Sequence, residues 1–324
     1  MSFSRYNTED SVISAESVVR PMWSSDIYTL SNFFTGSGYT EYYLDVYQLN
    51  PLTTGSEVQL DIQYGQLEGS GSLPINTVVR GYSPSRIVYG QYRNLIFGTE
   101  SDNFSFDGGT TTASQVYIVN ISRARYKQSI QPGLLNLTLT SGSATIKLTD
   151  DSNTTSLTRF IGENRIYYII SGSNGNAYTS SAATTYYGIM APDLGFIVLD
   201  ASGSLTPYIQ AASQTTGSAQ NNHLKLWNSM YSGSSFQAQS QETVSSRFFF
   251  TRIKNSEFNY TTNPSIIDSN GNLLFTTLIN NPQTFITTVG MYNNNNELLA
   301  VAKLSKPLVK DFTKEALVRI KLDY

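Results

Sequence analysis

Few residues in this chain have the types and spacing that nucleophilic, acid–base or metal chemistry requires. The 324 residues include one histidine, His223, and no cysteine, which excludes disulfides, thiolate metal sites and cysteine catalysis. One histidine cannot form the two-histidine zinc motif of metalloproteases, and the sequence contains neither a G-x-S-x-G nucleophile elbow nor a Walker A loop. We therefore expect no enzymatic activity and no cofactor, and interpret His223 as a polar residue near the first turn of a helix.

Two acidic segments have the composition of calcium loops without their spacing. Neither Asp150-Asp151 nor the segment 268–271 (Asp-Ser-Asn-Gly) supplies the alternating acids and distal glutamate of an EF-hand. We interpret both as turns in which an aspartate accepts hydrogen bonds from nearby backbone amides. The sequence therefore predicts no metal site. A carboxylate pair for glycoside hydrolysis cannot be recognised at this level, because the separation of its members is set by the fold.

A basic cluster near the C-terminus is the best candidate for a functional site. It comprises Lys303, Lys306, Lys310, Lys314, Arg319 and Lys321. Only Asp311 and Glu315 oppose it, in a chain of net charge −3. One hypothesis is that the basic loop 305–312, stiffened by Pro307, contacts an acidic partner together with Tyr292 of the preceding strand. The alternative is that solvated lysines protect sheet edges from aggregation.

The composition restricts the classes of partner. Charged residues make up only 14% of the chain, well below the usual quarter or so, so the surface must consist largely of Ser, Thr, Asn, Gln and Tyr. Such a surface suits broad, hydrogen-bonded protein contacts. A pI of about 5.3 argues against binding to nucleic acid. No apolar run has the length of a membrane span, and the N-terminus does not resemble a signal peptide, so we expect synthesis in the cytoplasm and no membrane partner.

The last 44 residues have the clearest pattern in the chain. Residues 284–292 alternate as a strand, and the four asparagines 293–296 predict a turn. The nearly unbroken apolar run in 297–304 predicts a strand buried on both faces. Residues 316–323 alternate again, which indicates a terminal strand paired inside a sheet.

Similar short strands recur about every ten residues, with turn signals between them, as residues 39–49 and 57–67 illustrate. Only one helix is indicated, within 221–231, where Leu224, Trp227 and Tyr231 share a face. This spacing is typical of sandwiches rather than βαβ units. We predict a mainly β fold: an antiparallel β-sandwich or jelly-roll-like core with an inserted β-rich lobe and one short helix.

The predicted domain division pairs residues 1–125 with 246–324 in the core, whose first twenty residues form an extended N-terminal arm. Residues 126–245 would form the inserted lobe, and three consecutive domains are the alternative. Between 77 and 98, tyrosines and arginines are frequent, among them Tyr89 and Tyr92. This run is interpreted either as an interaction surface or as ordinary strand and loop aromatics.

Three stretches resemble virion structural proteins of T4-like contractile-tailed phages, especially cyanophages. They are residues 281–324 (NPQTFITTVGMYNNNNELLAVAKLSKPLVKDFTKEALVRIKLDY), 245–266 (SSRFFFTRIKNSEFNYTTNPSI) and 121–152 (ISRARYKQSIQPGLLNLTLTSGSATIKLTDDS). The resemblance covers about half of the chain. It implies a virion protein of the tail baseplate, as a wedge component that holds neighbouring tail proteins together. Its partners would then be other baseplate proteins and further copies of itself.

Two other functions remain open at this stage. A receptor- or glycan-binding fibre or adhesin module would use the abundant Tyr, Asn and Ser for stacking and hydrogen bonding with sugars. A tail-associated depolymerase would need a carboxylate pair in a cleft.

Overall fold

The computed structural model describes residues 7–23, 27–28, 34–35, 43–72, 83–106, 112–155, 158–214, 221–260 and 263–323. The chain divides into two compact units. The terminal unit combines Met1–Glu16 with Thr243–Tyr324, and the middle unit is Ser17–Glu242. This division differs from the predicted one, because residues 17–125 belong with the expected lobe rather than with the C-terminal strands.

Antiparallel β-strands dominate the described residues. The strands are β1 Ser11–Pro21, β2 Ile27–Tyr28, β3 Phe34–Thr35, β4 Tyr43–Tyr47, β5 Val58–Gln66, β6 Gln115–Ile121, β7 Ser129–Ile130, β8 Asn136–Ser141, β9 Ala144–Asp150, β10 Arg159–Ile161, β11 Asn164–Ser173, β12 Asn176–Ala177, β13 Gly188–Ala191, β14 Phe196–Asp200, β15 Phe236–Gln237, β16 Gln239–Ile253, β17 Thr284–Tyr292, β18 Leu298–Lys310 and β19 Ala316–Asp323. The helices are α1 Pro84–Phe97, α2 Arg123–Tyr126, α3 Asn222–Gly233 and α4 Thr276–Asn280, with short 3-10 helices at Thr8–Asp10 and Ala182–Thr184. The prediction of a mainly β, antiparallel fold is confirmed.

The middle unit is built on one large curled sheet. Its strand order is β2-β15-β8-β9-β11-β13-β14-β6-β5-β4-β3, with β10 and β12 attached to β11. Alternate side chains of these strands enter two different cores. On β6, for example, Val119 joins the core that contains Trp227 of α3, whereas Ile118 joins the core that contains Tyr92 of α1. Each face of the sheet is therefore covered by one helix.

Helix α1 was not predicted from the sequence, and for residues 84–98 it contradicts the interpretation as a tyrosine-rich interaction surface. Pro84 stands at its first turn, where a missing amide costs nothing, and Gly98 ends it in the left-handed conformation with φ 69°. Tyr89 and Tyr92 are buried against the sheet. The predicted helix near 221–231 is confirmed as α3. Arg80 and Tyr82 lie outside the described residues.

The terminal unit contains two small sheets. Strands β1, β16 and β19 form one, in which β16 pairs antiparallel with β19 from Ser246–Asp323 to Ile253–Ala316. Strands β17 and β18 form a two-stranded hairpin. The core of the unit includes the buried Ile253, Val318 and Ile320, against which partly buried residues of the hairpin pack. A hairpin alone is marginally stable in water, so this packing is what holds it.

The N-terminal arm forms a strand that leaves most of its side chains in solvent. Over β1, Val12 and Ile13 are more than half exposed, and only Ser11 and Val18 are partly covered. The prediction of an extended arm thus applies to residues 11–21. Residues 1–6 lie outside the described part.

Candidate assembly surface

The prediction of a loop at 305–312 is wrong for most of its length, because β18 continues as far as Lys310. Ile286 pairs with Leu308 and Thr288 pairs with Lys303, so the four residues 304–307 lie opposite Thr287 alone. These four residues form an extended β-bulge in the strand. Proline has no amide to donate to a ladder and is tolerated at bulges, which explains how Pro307 is accommodated. Lys303, Lys306 and Pro307 are all exposed.

Lys310, in contrast, does not belong to any exposed surface. Its side chain is completely buried. The ammonium donates hydrogen bonds to the carbonyl oxygens of Asn255 (3.0 Å) and Asp311 (2.9 Å) and to Oδ1 of Asn259 (2.7 Å). All three donor positions of the ammonium are therefore satisfied. This correction removes Lys310 from the predicted contact residues and makes it a link between β18 and the turn that follows β16.

The remaining cations of the predicted cluster are distributed over the turn after β18 and over β19. Lys314 forms an ion pair with Asp311 at 3.2 Å, and Lys321 forms one with Asp323 at 3.1 Å. The hydroxyl and the amide of Thr313 hold the pKa of Asp311 below its usual value. The Arg319 guanidinium lies 5.1 Å from the ring centroid of Phe248. The exposed members of the cluster that form no ion pair within the described residues are therefore Lys303, Lys306 and Arg319.

The face of the hairpin that points away from the core, here called the outer face, is apolar and exposed. Ile286 and Leu308 point into the core, so the adjacent pair Phe285 and Val309 lies on the outer face. Val301, paired with Gly290, lies there too, because it stands between Ala300 and Ala302, which are partly buried on the inner face. The exposed members are Phe285 (61%), Leu298 (53%), Leu299 (66%) and Val301 (57%).

Tyr292, a predicted contact residue, packs along this outer face. A Cβ placed on Gly290 would lie 3.0 Å from Cε2 of Tyr292 and 3.4 Å from Cδ1 of Leu298. The glycine thus leaves the space that the ring and the leucine occupy. Tyr292 keeps 39% of its surface exposed and forms one edge of the apolar face.

The rest of the terminal unit is also rich in exposed apolar side chains. These include Tyr260, Leu274, Phe275, Ile279, Phe312 and Leu317, each more than half exposed. Isolated exposed apolar residues are normal, but an accumulation of them marks an interaction surface. The middle unit has a far larger core, since nearly all buried apolar residues of the described chain belong to it.

The prediction that residues 297–304 are buried on both faces is therefore wrong for a single copy of the chain. Leu298, Leu299 and Val301 are exposed, whereas the prediction placed them in a core. The apolar run is a genuine signal of burial, but a sequence pattern does not distinguish a core of the same chain from a contact with a partner. These residues, with Phe285, are the part of the candidate surface that the basic cluster did not reveal.

A second polar cluster lies on the middle unit, where Asp45 of β4 pairs directly with Asp61 of β5. Directly opposed residues place their Cβ atoms about 4.5–5.5 Å apart. Burial raises the pKa of Asp61 to about 6, although Gln63 and Asn120 donate hydrogen bonds to its carboxylate. Burial also raises the pKa of Asp45. Both carboxyl groups therefore take up a proton more readily than a solvated aspartate does.

The turn at 268–271 is of the kind that the sequence predicted, whereas Asp150 and Asp151 are buried and also bind distant parts of the chain. Asp268 Oδ1 accepts hydrogen bonds from the amides of Asn270 (2.8 Å) and Asn272 (2.7 Å). Asp150 accepts the amide of Gly133, and Asp151 accepts the amide of Tyr168 and pairs with Arg159. Within the described ranges, no group of three or more His, Cys, Asp or Glu side chains is arranged to hold a metal ion.

His223 lies in the first turn of α3, as predicted, and is buried. None of the helices in the described part of the chain is both long and apolar enough to cross a membrane. Comparisons of the chain with protein-family models, with curated proteins and with solved structures gave no match. The fold and the surface thus define a mainly β, antiparallel protein with an apolar terminal hairpin.

Proposed function

We propose that this protein is a non-enzymatic structural subunit of a phage tail baseplate, a wedge component whose terminal unit binds neighbouring tail proteins. The observation that carries the proposal is the exposed apolar outer face of the hairpin, with Lys303 and Lys306 beside it. A surface of this kind is costly to leave in water and is stabilised when a partner covers it.

The composition of the unit supports the same function. Among the described residues, its core contains three buried apolar side chains, Ile253, Val318 and Ile320, while the strands around them are long and well formed. Core-like apolar surface that remains exposed is characteristic of subunits completed by assembly, since obligate interfaces resemble a domain core cut in half. The resemblance of residues 281–324 and 245–266 to virion proteins of T4-like phages concerns this unit.

Cross-linking mass spectrometry on purified, gently disrupted particles tests the proposal. The exposed Lys303, Lys306 and Lys314 are expected to link to other tail proteins, whereas the buried Lys310 serves as an internal control and should not react. Absence of the protein from purified particles would overturn the proposal. Cross-links restricted to the chain itself would overturn it as well.

One observation favours a second function, glycan or receptor binding. Tyr43, Asp45 and Tyr47 alternate along one face of β4, and Asp45 lies opposite Asp61. Half-exposed tyrosines beside carboxylates can stack on a sugar ring and accept its hydroxyl protons. A glycan array probed with the full chain tests this function, and an array without a bound sugar would exclude it.

A further inference from the structure

The dipeptide Asn-Gly occurs twice in the chain, at residues 174–175 and 270–271. In such a pair the backbone nitrogen of the glycine can attack Cγ of the preceding asparagine, because glycine has no side chain that shields the nitrogen or restricts the turn. The attack requires an asparagine carboxamide that is free to rotate and a peptide nitrogen that is not held elsewhere. The surroundings of the two pairs therefore decide which of them reacts.

The first pair is held by its neighbours. Asn174 has a left-handed backbone with φ 51°, its Oδ1 accepts a hydrogen bond from Asn136 Nδ2 (2.7 Å), and its carbonyl accepts one from Asn153 Nδ2 (2.8 Å). The Gly175 amide is buried and donates to Thr149 Oγ1 at 2.8 Å. Both reacting groups are thus occupied, and the attack requires several hydrogen bonds to break together.

The second pair lies in a turn between β16 and α4. Asn270 and Gly271 are both exposed. The carboxamide of Asn270 forms no hydrogen bond within the described residues, although its backbone amide donates to Asp268 Oδ1. The amide of Gly271 donates to the carbonyl oxygen of Asp268 at 3.0 Å, a bond within the same turn, and a Cβ added to Gly271 would have no atom within 4 Å. The two reacting groups can therefore meet when only this short turn opens.

We propose that Asn270 is a site of spontaneous deamidation and that the fold protects Asn174 from the same reaction. The Gly271 nitrogen forms a bond to Cγ of Asn270 while the bond from Cγ to Nδ2 breaks. The proton of the attacking amide passes through solvent to the departing nitrogen, which leaves as ammonia. Water then opens the resulting succinimide ring, at one carbonyl to aspartate and at the other to isoaspartate. This site goes beyond the proposed function, because it concerns a change in the covalent structure of the chain with time.

Either product changes the turn in which it forms. The turn is closed by a hydrogen bond from the amide of Asp268 to the carbonyl of Asn272 (2.8 Å). A second bond, from the amide of Leu274 to the carbonyl of Ile266 (2.9 Å), extends it. Isoaspartate inserts an additional carbon atom into the main chain between these bonds, and both products add a negative charge close to Asp268. The modification therefore alters the turn that leads to the exposed Leu274 and Phe275.

Peptide mapping of the purified full chain by mass spectrometry tests the proposal. The chain is incubated in mildly alkaline buffer, and the peptides that contain Asn270 and Asn174 are compared over time for the mass of a carboxyl in place of an amide. Chromatographic separation distinguishes the aspartate product from the isoaspartate product. The Asn270 peptide should react at least about tenfold faster, a ratio that corresponds to about 1.4 kcal/mol of additional local opening at Asn174.

Two controls distinguish the effect of the fold from that of the sequence. In denaturant the hydrogen bonds around Asn174 are lost, so the two pairs should react at rates within about threefold of each other. Gly271→Ala places a methyl group beside the attacking nitrogen and should slow the reaction at Asn270 severalfold. Circular dichroism establishes that this variant is folded.

Equal rates at Asn270 and Asn174 in the folded chain would overturn the inference. A ratio of the same size in denaturant would show that the fold does not protect Asn174. A Gly271→Ala variant that reacts as fast as the natural chain would exclude attack by the Gly271 nitrogen. None of these results concerns the baseplate function, which the cross-linking experiment tests separately.

Discussion

Lys310 Nζ donates a hydrogen bond to Asn259 Oδ1 at 2.7 Å, and both side chains are withdrawn from solvent. The carboxamide of Asn259 also donates to the carbonyl of Asn255, which accepts from the same ammonium. The cation is thus surrounded by neutral oxygens rather than by a carboxylate. Each of these acceptors would lose a donor if the ammonium were removed.

Lys310→Ala is therefore expected to destabilise the terminal unit by about 3 kcal/mol, because it leaves a cavity and buried acceptors without a donor. Chemical denaturation of the full chain, followed by a probe in the terminal unit, measures the change. Lys306→Ala is the matched control, since that side chain is exposed in the same strand, and its effect should stay within about 0.5 kcal/mol. Equal effects of the two substitutions would contradict the buried role of Lys310.

The stability of the middle unit should depend on pH through Asp61. Its pKa is raised from 3.8 to about 6, chiefly by burial, so the folded state binds a proton that the unfolded state releases between these values. Stability from this group is fully present below about pH 4 and is lost as the pH rises through 6. The full difference corresponds to about 3 kcal/mol.

Asp61→Asn should flatten this decline between pH 4 and pH 7 in denaturation measurements. The control, Asp45→Asn, should keep most of it, because burial and not the neighbouring charge is the main cause of the shift. If the control flattens the curve as much as the substitution at Asp61 does, the pair titrates through mutual repulsion instead.

Gly195 is a position at which the middle unit should tolerate a side chain poorly. Its φ is +79°, and a Cβ there would lie 2.1 Å from Cε1 of the buried Tyr126. Gly195→Ala is expected to cost about 3 kcal/mol or more, through overpacking and backbone strain together. At Gly98 the φ is +69° but no atom lies within 4 Å of the added Cβ. Gly98→Ala should therefore cost only about 1 kcal/mol, as thermal unfolding of the two variants can establish.

Two residues of β19 allow the contribution of the core to the free energy of unfolding to be distinguished from that of the exposed surface. Ile320 is buried in the core of the terminal unit, whereas Leu317 is 66% exposed. Ile320→Ala should lower the free energy of unfolding by about 2–4 kcal/mol, and Leu317→Ala should change it by less than about 0.5 kcal/mol. A large effect of Leu317→Ala on the isolated chain would mean that this side chain is covered within its own unit.

The strand pattern could be predicted because side chains alternate. In β19, Val318 and Ile320 enter the core, while Arg319 and Lys321 between them face solvent, and this alternation is visible in the sequence. Helix α1 was missed although Val88, Tyr89, Tyr92 and Ile96 have helical spacing. Tyrosine and arginine are amphipathic, so their abundance suggested a surface, whereas the sheet covers the tyrosines.

The candidate surface was predictable only in part. Lys303, Lys306 and Tyr292 are exposed as the sequence indicated, but no local pattern distinguishes Lys310 from them. Its acceptors on Asn255 and Asn259 are more than fifty residues away in the chain. The predicted domain division differs from that of the structure for the same reason, because the pairing of β6 with both β5 and β14 is a long-range property.

The bulge at residues 304–307 divides the hairpin into two ladders, one next to the turn and one next to the chain ends. Each ladder keeps its own register, so a change in the length of the bulge need not move a side chain from one face of the hairpin to the other. The segment can therefore gain or lose residues while Val301 and Val309 stay on the outer face. Sequence length at this point is free to diverge among related chains, and the ladder that carries Val301 and Lys303 is insulated from it.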